Sequence, residues 1–188
     1  MIYLASASPR RKELLKQIQI AYQQVVVEVD ETILPQETPQ HYVCRVALDK
    51  ARAGRTKVPS IFPVLGADTA VVCDEYIFSK PTSQEEAKQM LKQLSGRVHQ
   101  VMTGVAFITS TQEQVKLHVS QVHFRSLSET EIDAYVATGE PLDKAGSYAI
   151  QGLASTFIEY LEGSYSGVMG LPLFETAQLL AEAGIQVI

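Results

Sequence analysis

Helix-start signals alternate with short apolar segments along this chain, and this alternation constrains the fold more than any other feature. Ser8-Pro9 and Thr38-Pro39 each place a capping residue before a proline, which suits the first helical turn. Ser83–Glu86 and Ser128–Glu131 have the spacing of a capping box, and Pro172 opens a further helical pattern. Because strand-like segments lie between these helices, the pattern predicts a mixed α/β domain.

The apolar segments between the helices read as strands because they are short and rich in β-branched residues. They cover residues 2–5, 22–29, 61–66, 69–74, 98–108, 115–125 and 157–161, and a last segment, 185–188, is predicted to be an edge strand. The segments 98–108 and 115–125 form a predicted hairpin. Its second strand changes its apolar face, which predicts a bulge near Ser120-Gln121. With neither repeat nor linker, residues 1–188 are predicted to form one domain.

Composition and charge restrict the partners that we expect. The formal net charge of −5 gives no electrostatic reason to expect nucleic acid or an anionic membrane. No apolar run reaches the roughly 20 residues that span a bilayer. The chain opens with no signal peptide, and Cys44 and Cys73 stand apart as two buried or half-buried thiols. We therefore expect a cytoplasmic protein, with positive charge gathered locally if the ligand is anionic.

Eight polar residues stand just after predicted strands or at predicted helix starts, where ligands collect in α/β proteins. They are Ser6, Ser8, Arg10, Arg11, Glu31, Lys50, Asp68 and Lys80. Arginines in the first turn of a helix oppose its dipole, and a bound phosphate would explain them. Four bases with two acids suit a polyphosphate and a divalent metal, because bases neutralise oxygens and acids hold Mg²⁺.

Each of these residues also has a plain structural interpretation. Ser8 can be only a helix cap, and Arg10 and Arg11 can lie on a solvated face. Lys50 falls on the apolar stripe of its helix, where it can extend to solvent. Asp68 can be a turn residue between two strands. None of these residues identifies a function alone.

Taken together, the segments resemble the Maf family of nucleotide pyrophosphatases. The resemblance begins at Leu4–Leu15, which is similar to the opening signature of the family. It continues, in family order, with Asp30-Glu31, Ala47–Ala51, Gly66–Thr69, Lys80-Pro81, Ser95–His99, Thr103-Gly104, Gly139–Pro141, Asp143–Gly146, Ile150–Gly152 and Gly170–Leu173. So many ordered matches over nearly the whole chain are specific.

The resemblance implies a fold, a reaction and roles for individual residues. The implied fold is a mixed twisted sheet flanked by helices, similar to inosine triphosphate pyrophosphatases, elongated and two-lobed with a central cleft. The implied reaction is metal-dependent hydrolysis between the α- and β-phosphates of a nucleoside triphosphate. Asp68 matches the proposed catalytic base of the family. Substrate choice is associated with Arg11, Thr69 and Gln151, and the polar cleft lining with Ser8, Arg10, Glu31, Lys50 and Lys80.

The loop containing Asp143–Gly146 and Ile150–Gly152 is similar to the branch that acts on dTTP and UTP. Ser79 and Ala154 depart from glycines that are common in the family, which leaves rate and preference open. Two alternatives also stay open: the same reaction on modified or other nucleotides, such as 7-methyl-GTP, and a nucleotide-binding regulator of septum formation.

We expect Mg²⁺ or Mn²⁺ to bridge the triphosphate, with Glu31 and Asp68 as direct or water-mediated ligands. Asp68 also orients or deprotonates the attacking water, and the bases neutralise the leaving pyrophosphate. The presence of both acids, Glu31 and Asp68, favours an enzyme over a nucleotide sensor, because anion binding alone needs only the bases. A homodimer is compatible with the common closed two-fold assemblies, but nothing in the sequence locates its interface.

Overall fold

The computed structural model describes residues 1–187, and its first strand leads directly into its first helix. β1 (Ile2–Leu4) precedes α1 (Pro9–Gln17). β2 (Tyr22–Gln24) ends well before the predicted limit at Val29, because its partner β1 is itself only three residues long. The chain then runs without helix or strand through residues 25–38.

A long central strand follows the longest helix. α2 (Pro39–Arg55) leads to β3 (Val64–Cys73), and β4 (Tyr76–Phe78) turns back against the end of β3. β3 is one continuous strand rather than the two predicted, because residues 64–72 pair without interruption with the next long strand. The motif Gly66–Thr69 therefore lies inside a strand.

The predicted hairpin is confirmed, but its predicted bulge is wrong. α3 (Gln84–Leu94) leads to β5 (Val98–Ile108) and β6 (Glu113–Phe124), which pair in unbroken register from Val98↔His123 to Ile108↔Glu113. The β5–β6 pairing needs no bulge because helices cover both faces of this sheet at different points. The register of β6 shifts only against the strand Ile158–Glu162, between His123 and Phe124. Val115 and Leu117 pack towards α2, whereas Val122 and Phe124 join a cluster on the opposite face.

The C-terminal third completes the sheet and its covering helices. After α4 (Glu129–Ala137) come three 3₁₀ segments, Glu140–Asp143, Ala145–Ser147 and Leu153–Phe157. β7 (Ile158–Glu162), α5 (Tyr165–Met169) and α6 (Leu173–Glu182) follow. The sheet of seven strands has the order β2-β1-β3-β5-β6-β7, with β4 also on β3. The predicted edge strand does not form over residues 185–187, and Ile188 lies outside the described residues.

The helix-start signals differ in what their side chains do. Thr38 accepts a hydrogen bond from the His41 amide, and Ser128 with Glu131 forms the predicted capping box. Ser83 accepts from the Glu86 amide, but the Glu86 carboxylate binds Thr82 instead of closing the box. Ser8 precedes α1, but its side chain makes no capping hydrogen bond, so the predicted cap is not formed there.

Helix α2 lies unusually close to the sheet because two strand residues are glycines. A Cβ atom at Gly66 would lie 2.4 Å from the Ala47 carbonyl oxygen, and one at Gly104 would lie 2.4 Å from the Val43 carbonyl oxygen. Any larger residue would push α2 away from β3 and β5. The close approach brings the Lys50 side chain onto β3.

Two apolar clusters form the lobes on either side of a cleft. One surrounds α1 and α6 and includes Leu14, Leu15 and Leu180. The other surrounds α3 and α4 and includes Leu91 and Phe124. Among the helices of residues 1–187, none has the length and apolar character that a membrane crossing requires.

Candidate active site

The cleft opens where the edge of β3 lacks a partner strand. β1 pairs with β3 at Val64 and Leu65, and β4 pairs with the same edge only from Val71 onward. The segment between these pairings contains Asp68 and Thr69, whose side chains point to opposite faces of the strand. The gap in the sheet therefore exposes both faces of β3 to one opening.

All the sequence-predicted site residues line this one cleft, which has a volume of about 1000 Å³. They are Ser8, Arg10, Arg11, Glu31, Lys50, Asp68, Thr69, Lys80 and Gln151. Chain segments as distant as α1, α2, β3 and the loop after Ala149 contribute to it. The structure thus brings the predicted residues together, while their catalytic and binding roles stay predictions.

A second cavity, of about 650 Å³, lies beside Thr38, Cys73 and Met102. It has acidic and amide side chains, but no Lys or Arg is among its lining residues. An anionic ligand would therefore find its counter-charges in the first cleft.

Lys50 lies between the two acids of the cleft. Its Nζ atom is 2.7 Å from Asp68 Oδ1 and 2.7 Å from Glu31 Oε1. The Asp68 side chain is 9% exposed and the Glu31 side chain 47% exposed, so the pair with Asp68 is the better shielded of the two. Lys50, which falls on the apolar stripe of its helix, therefore faces the cleft and does not extend to solvent.

The two acids have pKa values shifted in opposite directions. Burial raises the pKa of Asp68, and the neighbouring Lys50 and Arg11 only partly offset that effect. Burial also acts to raise the pKa of Glu31, but its hydrogen bond and attraction to Lys50 outweigh burial, so the pKa of Glu31 is lowered. Asp68 is therefore the more basic carboxylate, which suits a proton acceptor.

Arg11 is fixed from three directions. Its Nε donates to the Gly170 carbonyl at 2.7 Å, its Nη1 donates to Ser6 Oγ at 3.2 Å, and its Nη2 donates to Thr69 Oγ1 at 3.2 Å. Burial lowers the pKa of Arg11, although the nearby Asp68 favours its charged form. A guanidinium held this firmly loses little entropy when it binds an anion.

The first turn of α1 contributes further polar groups. Ser8 does not cap the helix; its amide instead donates to Ser6 Oγ at 3.2 Å. Ser6 thereby joins Ser8 to Arg11. Arg10 lies at the same helix end, and Lys80 reaches the cleft from the segment after β4.

The Gln151 loop is held in place by a residue whose role the sequence did not predict. The carboxylate of Glu140 accepts from the Leu153 amide at 3.1 Å and from the Tyr135 hydroxyl at 2.9 Å. A Cβ atom at Gly152 would lie 2.2 Å from Glu140 Oε1, so any larger residue would displace the Glu140 carboxylate. The motifs around Glu140 and Gly152 were visible in the sequence, but their contact was not.

Tyr42 is a second cleft residue that sequence reasoning missed. It lines the cleft from α2, and burial together with Asp68 and Glu31 raises the pKa of Tyr42 to about 12. Its position on the apolar stripe of α2 gave no signal beyond core packing. Asp143 and Lys144, which belong to the loop similar to the dTTP/UTP branch, also line the cleft and form an ion pair.

The donor set fits a metal ion that arrives with its ligand. Within residues 1–187, no group of three or more His, Cys, Asp and Glu side chains is placed to hold a metal. Mg²⁺, however, is commonly held by one or two carboxylates together with substrate phosphates. Glu31 and Asp68 provide two carboxylates within reach of one point, and an ion would compete with Lys50 for them.

Comparison with known proteins identifies the relatives of this chain. A family model described as Maf-like protein matches residues 1–183. The dTTP/UTP pyrophosphatase of Nitrosospira multiformis is 52% identical, over 99% of this chain and 96% of that protein. The proteins of the same name from Alkalilimnicola ehrlichii and Escherichia coli O157:H7 are 53% and 49% identical, over 96% of this chain and 92% and 91% of theirs.

The solved structures support the fold. The Ham1 protein of Staphylococcus aureus superimposes with a TM-score of 0.54 over 97% of this chain and 98% of its own. The two sequences are only 15% identical, so the likeness concerns the fold alone.

Proposed function

The chain belongs to the Maf family, and we propose that it is a nucleoside triphosphate pyrophosphatase that hydrolyses dTTP and UTP to the monophosphate and pyrophosphate. The proposal rests on one observation in particular. In a chain of net charge −5, two arginines and three lysines gather in a single cleft with three carboxylates. The names of the curated relatives, at about 50% identity over nearly the whole chain, support the same reaction.

Asp68 is the general base in this proposal. Its carboxylate lies at the open edge of β3, and burial raises its pKa above that of an exposed acid. A carboxylate in that position accepts a proton from water as the water attacks, provided that the bound triphosphate holds the water within hydrogen-bond reach. The anhydride between the α- and β-phosphates is then cleaved and pyrophosphate leaves.

The cationic side chains bind the leaving pyrophosphate. Arg11 is prepared for this role, because Ser6, Thr69 and Gly170 already fix its guanidinium. Arg10 and Lys80 extend the positive charge along the cleft, and Lys50 balances the carboxylates. Charge arranged before the reaction stabilises the developing negative charge without reorganisation at the moment of cleavage.

A divalent cation, Mg²⁺ or Mn²⁺, is part of the proposal. Glu31 and Asp68 would hold it, directly or through water. When bound, such an ion neutralises phosphate oxygens and orients the triphosphate. Glu31 is the half-exposed member of the pair, so it meets an incoming nucleotide first.

Gln151 reads the base. Its amide has both a donor and an acceptor, which fits thymine and uracil, since each presents a ring N–H between two carbonyl groups. Glu140 holds the loop from which Gln151 acts. We place the reaction in the cytoplasm, where the free thiols Cys44 and Cys73 stay reduced. The homodimer stays a prediction.

The test is a panel of nucleotides incubated with and without Mg²⁺ or Mn²⁺, with both products identified. We expect dTTP and UTP to yield the monophosphate and pyrophosphate faster than CTP, the purine triphosphates or 7-methyl-GTP do. Preference for 7-methyl-GTP would move the chain to another substrate. Tight binding of dTTP without cleavage would favour the septum regulator over the enzyme.

A further inference from the structure

Thr103 lies behind the cleft and is not among the residues that line it. It sits in the middle of β5, directly opposite Thr69 of β3, and is 1% exposed. Its hydroxyl nevertheless makes two close contacts, 2.9 Å to Thr69 Oγ1 and 2.8 Å to the Gly167 carbonyl oxygen. Because buried polar groups are normally hydrogen-bonded, the Thr103 hydroxyl can affect the site only through these two partners.

The direction of these hydrogen bonds follows from counting protons. A threonine hydroxyl has one proton, and a carbonyl oxygen can only accept. Thr103 therefore gives its proton to Gly167, and Thr69 must give its own proton to Thr103. Thr69 Oγ1 is left as an acceptor on its cleft side, which is where Arg11 Nη2 donates to it at 3.2 Å.

The same short helix holds both ends of this chain of hydrogen bonds. Gly167 of α5 accepts from Thr103, and Gly170 at the end of α5 accepts from Arg11 Nε at 2.7 Å. Gly170 has a φ of 114°, which a residue with a Cβ rarely adopts. Helix α5 thus sets the position of Arg11 directly and through the two threonines.

Arg11 keeps part of its guanidinium for a ligand. Of its five N–H groups, three bind Ser6, Thr69 and Gly170. Among the residues that the structure describes, no acceptor pairs with the remaining N–H on Nη1 or on Nη2. These two N–H groups are available to an oxygen acceptor of a ligand, such as a phosphate or a carbonyl group.

We propose that Thr103 is a positioning residue, which fixes Thr69 as a hydrogen-bond acceptor and thereby aims the two free N–H groups of Arg11 into the nucleotide cleft. The inference rests on the proposed function, since it assigns Thr103 to the same site. Without the Thr103 hydroxyl, Thr69 loses its acceptor, its proton turns elsewhere, and Arg11 loses one of its three supports.

The kinetic test uses Thr103→Val, which keeps the shape and removes the hydroxyl, and Thr103→Ser, which keeps the hydroxyl. We expect Thr103→Val to lower kcat/KM for dTTP by about 5- to 10-fold, the scale of one hydrogen bond between neutral groups. Thr103→Ser should stay within about twofold of the native chain, because its hydroxyl can donate to Gly167 in the same way. Thr176→Val is the matched control, because the buried Thr176 hydroxyl donates to the Pro172 carbonyl at 2.7 Å, at the start of α6. It should lose similar stability and keep kcat/KM.

A double-variant cycle separates positioning from general packing. In a Thr69→Val background, Thr103→Val should lower kcat/KM by less than about twofold further, because the route to Arg11 is already interrupted. A further loss as large as in the native chain would overturn the proposal.

A measurement that needs no hydrolysis keeps the two proposals distinguishable. The side-chain Nε–Hε resonance of Arg11, identified by its loss in Arg11→Lys, should shift in Thr103→Val and not in Thr103→Ser or Thr176→Val. An unshifted resonance in Thr103→Val would overturn the role of Thr103. A native chain that cleaves no nucleotide would overturn the proposed function, and this resonance would still decide the inference.

Discussion

The ammonium nitrogen of Lys50 lies 2.7 Å from Oδ1 of Asp68, and this ion pair joins α2 to β3 at the centre of the cleft. Because the Asp68 side chain is only 9% exposed, the pair is far more shielded than an exposed pair such as Lys92–Glu129. The position of Lys50 depends on Gly66, which lets α2 approach β3 closely. We therefore expect the Lys50–Asp68 contact to affect both the stability of the fold and the activity of the site.

Removing Lys50 should leave Asp68 as a buried charge without its closest partner. We expect Lys50→Met to lower the free energy of unfolding by about 3 kcal/mol, the scale for breaking a buried pair. Asp68→Asn in the same background should recover at least about 1 kcal/mol, because the charge is then gone. Urea unfolding of the two single variants and the double variant measures both values.

Lys92→Met is the control for that cycle. Lys92 pairs with Glu129 on the surface at 2.8 Å, and such exposed pairs contribute little. If Lys50→Met cost no more than Lys92→Met, or if the two cleft changes were simply additive, the buried pair would not have the importance that we assign to it.

Gln151→Ala should change which nucleotide is preferred more than it changes metal dependence. The amide is lost while Glu31 and Asp68 are untouched, so the ratio of kcat/KM for dTTP to that for CTP should fall by about 10-fold or more. Steady-state rates on both nucleotides, over a Mg²⁺ titration, check this. An unchanged ratio would exclude base reading by Gln151.

Gly152→Ala should also lower the preference for dTTP over CTP, although it leaves the Gln151 side chain itself unchanged. The added methyl group would stand 2.2 Å from Glu140 Oε1, so the carboxylate must leave its contacts with Leu153 and Tyr135. Gln151 then loses its fixed position, and we expect the same change of preference with a raised KM. A native substrate profile in Gly152→Ala would show that Glu140 does not position the loop.

His99 predicts how stability depends on pH. Its ring lies between Phe124 and Tyr148, and burial, with smaller effects of His123 and Arg97, lowers the pKa of His99 to about 3. Because this value is below the ordinary 6.5, the folded chain binds fewer protons than the unfolded chain between these limits. The contribution to stability is therefore complete above pH 6.5 and is lost as pH falls towards 3.

Comparison with His99→Gln isolates this term from the other titrating groups. Between pH 7 and pH 5 the stability of the native chain should fall about 2 kcal/mol further than that of the variant, at about 1.4 kcal/mol per proton and pH unit. Chemical unfolding at several pH values gives the difference. Parallel curves for the two proteins would show that His99 titrates normally in the folded chain.

The charged residues of the site could be predicted from the sequence, but the contacts that hold them in place could not. Residues such as Arg11, Lys50 and Asp68 stand out because charged groups at strand ends and on apolar helix stripes are rarely accidental. Thr103 contacts Thr69, which lies 34 positions earlier in the chain. Glu140 contacts Leu153 across a loop. Such contacts depend on strand register and loop conformation, which local patterns do not contain.

Two errors in the predicted fold have a common cause. The Gly66–Thr69 motif reads as a break between strands, and the change of apolar face in β6 reads as a bulge. Both follow from packing on two faces: α2 needs a smooth surface at Gly66 and Gly104, and β6 is covered from different sides along its length. Tertiary packing thus overrides the local pattern.

The most direct test of the account measures the products and rate of dTTP cleavage for the native chain and for Asp68→Asn, with Mg²⁺ present. Asp133→Asn, which changes an exposed acid paired with Lys88, serves as the control. We predict dTMP and pyrophosphate in equal amounts from the native chain and the control. A folded Asp68→Asn should be about 10²- to 10⁴-fold slower, the range for lost acid–base catalysis. Release of dTDP and phosphate, or an Asp68→Asn rate close to the native one, would contradict it.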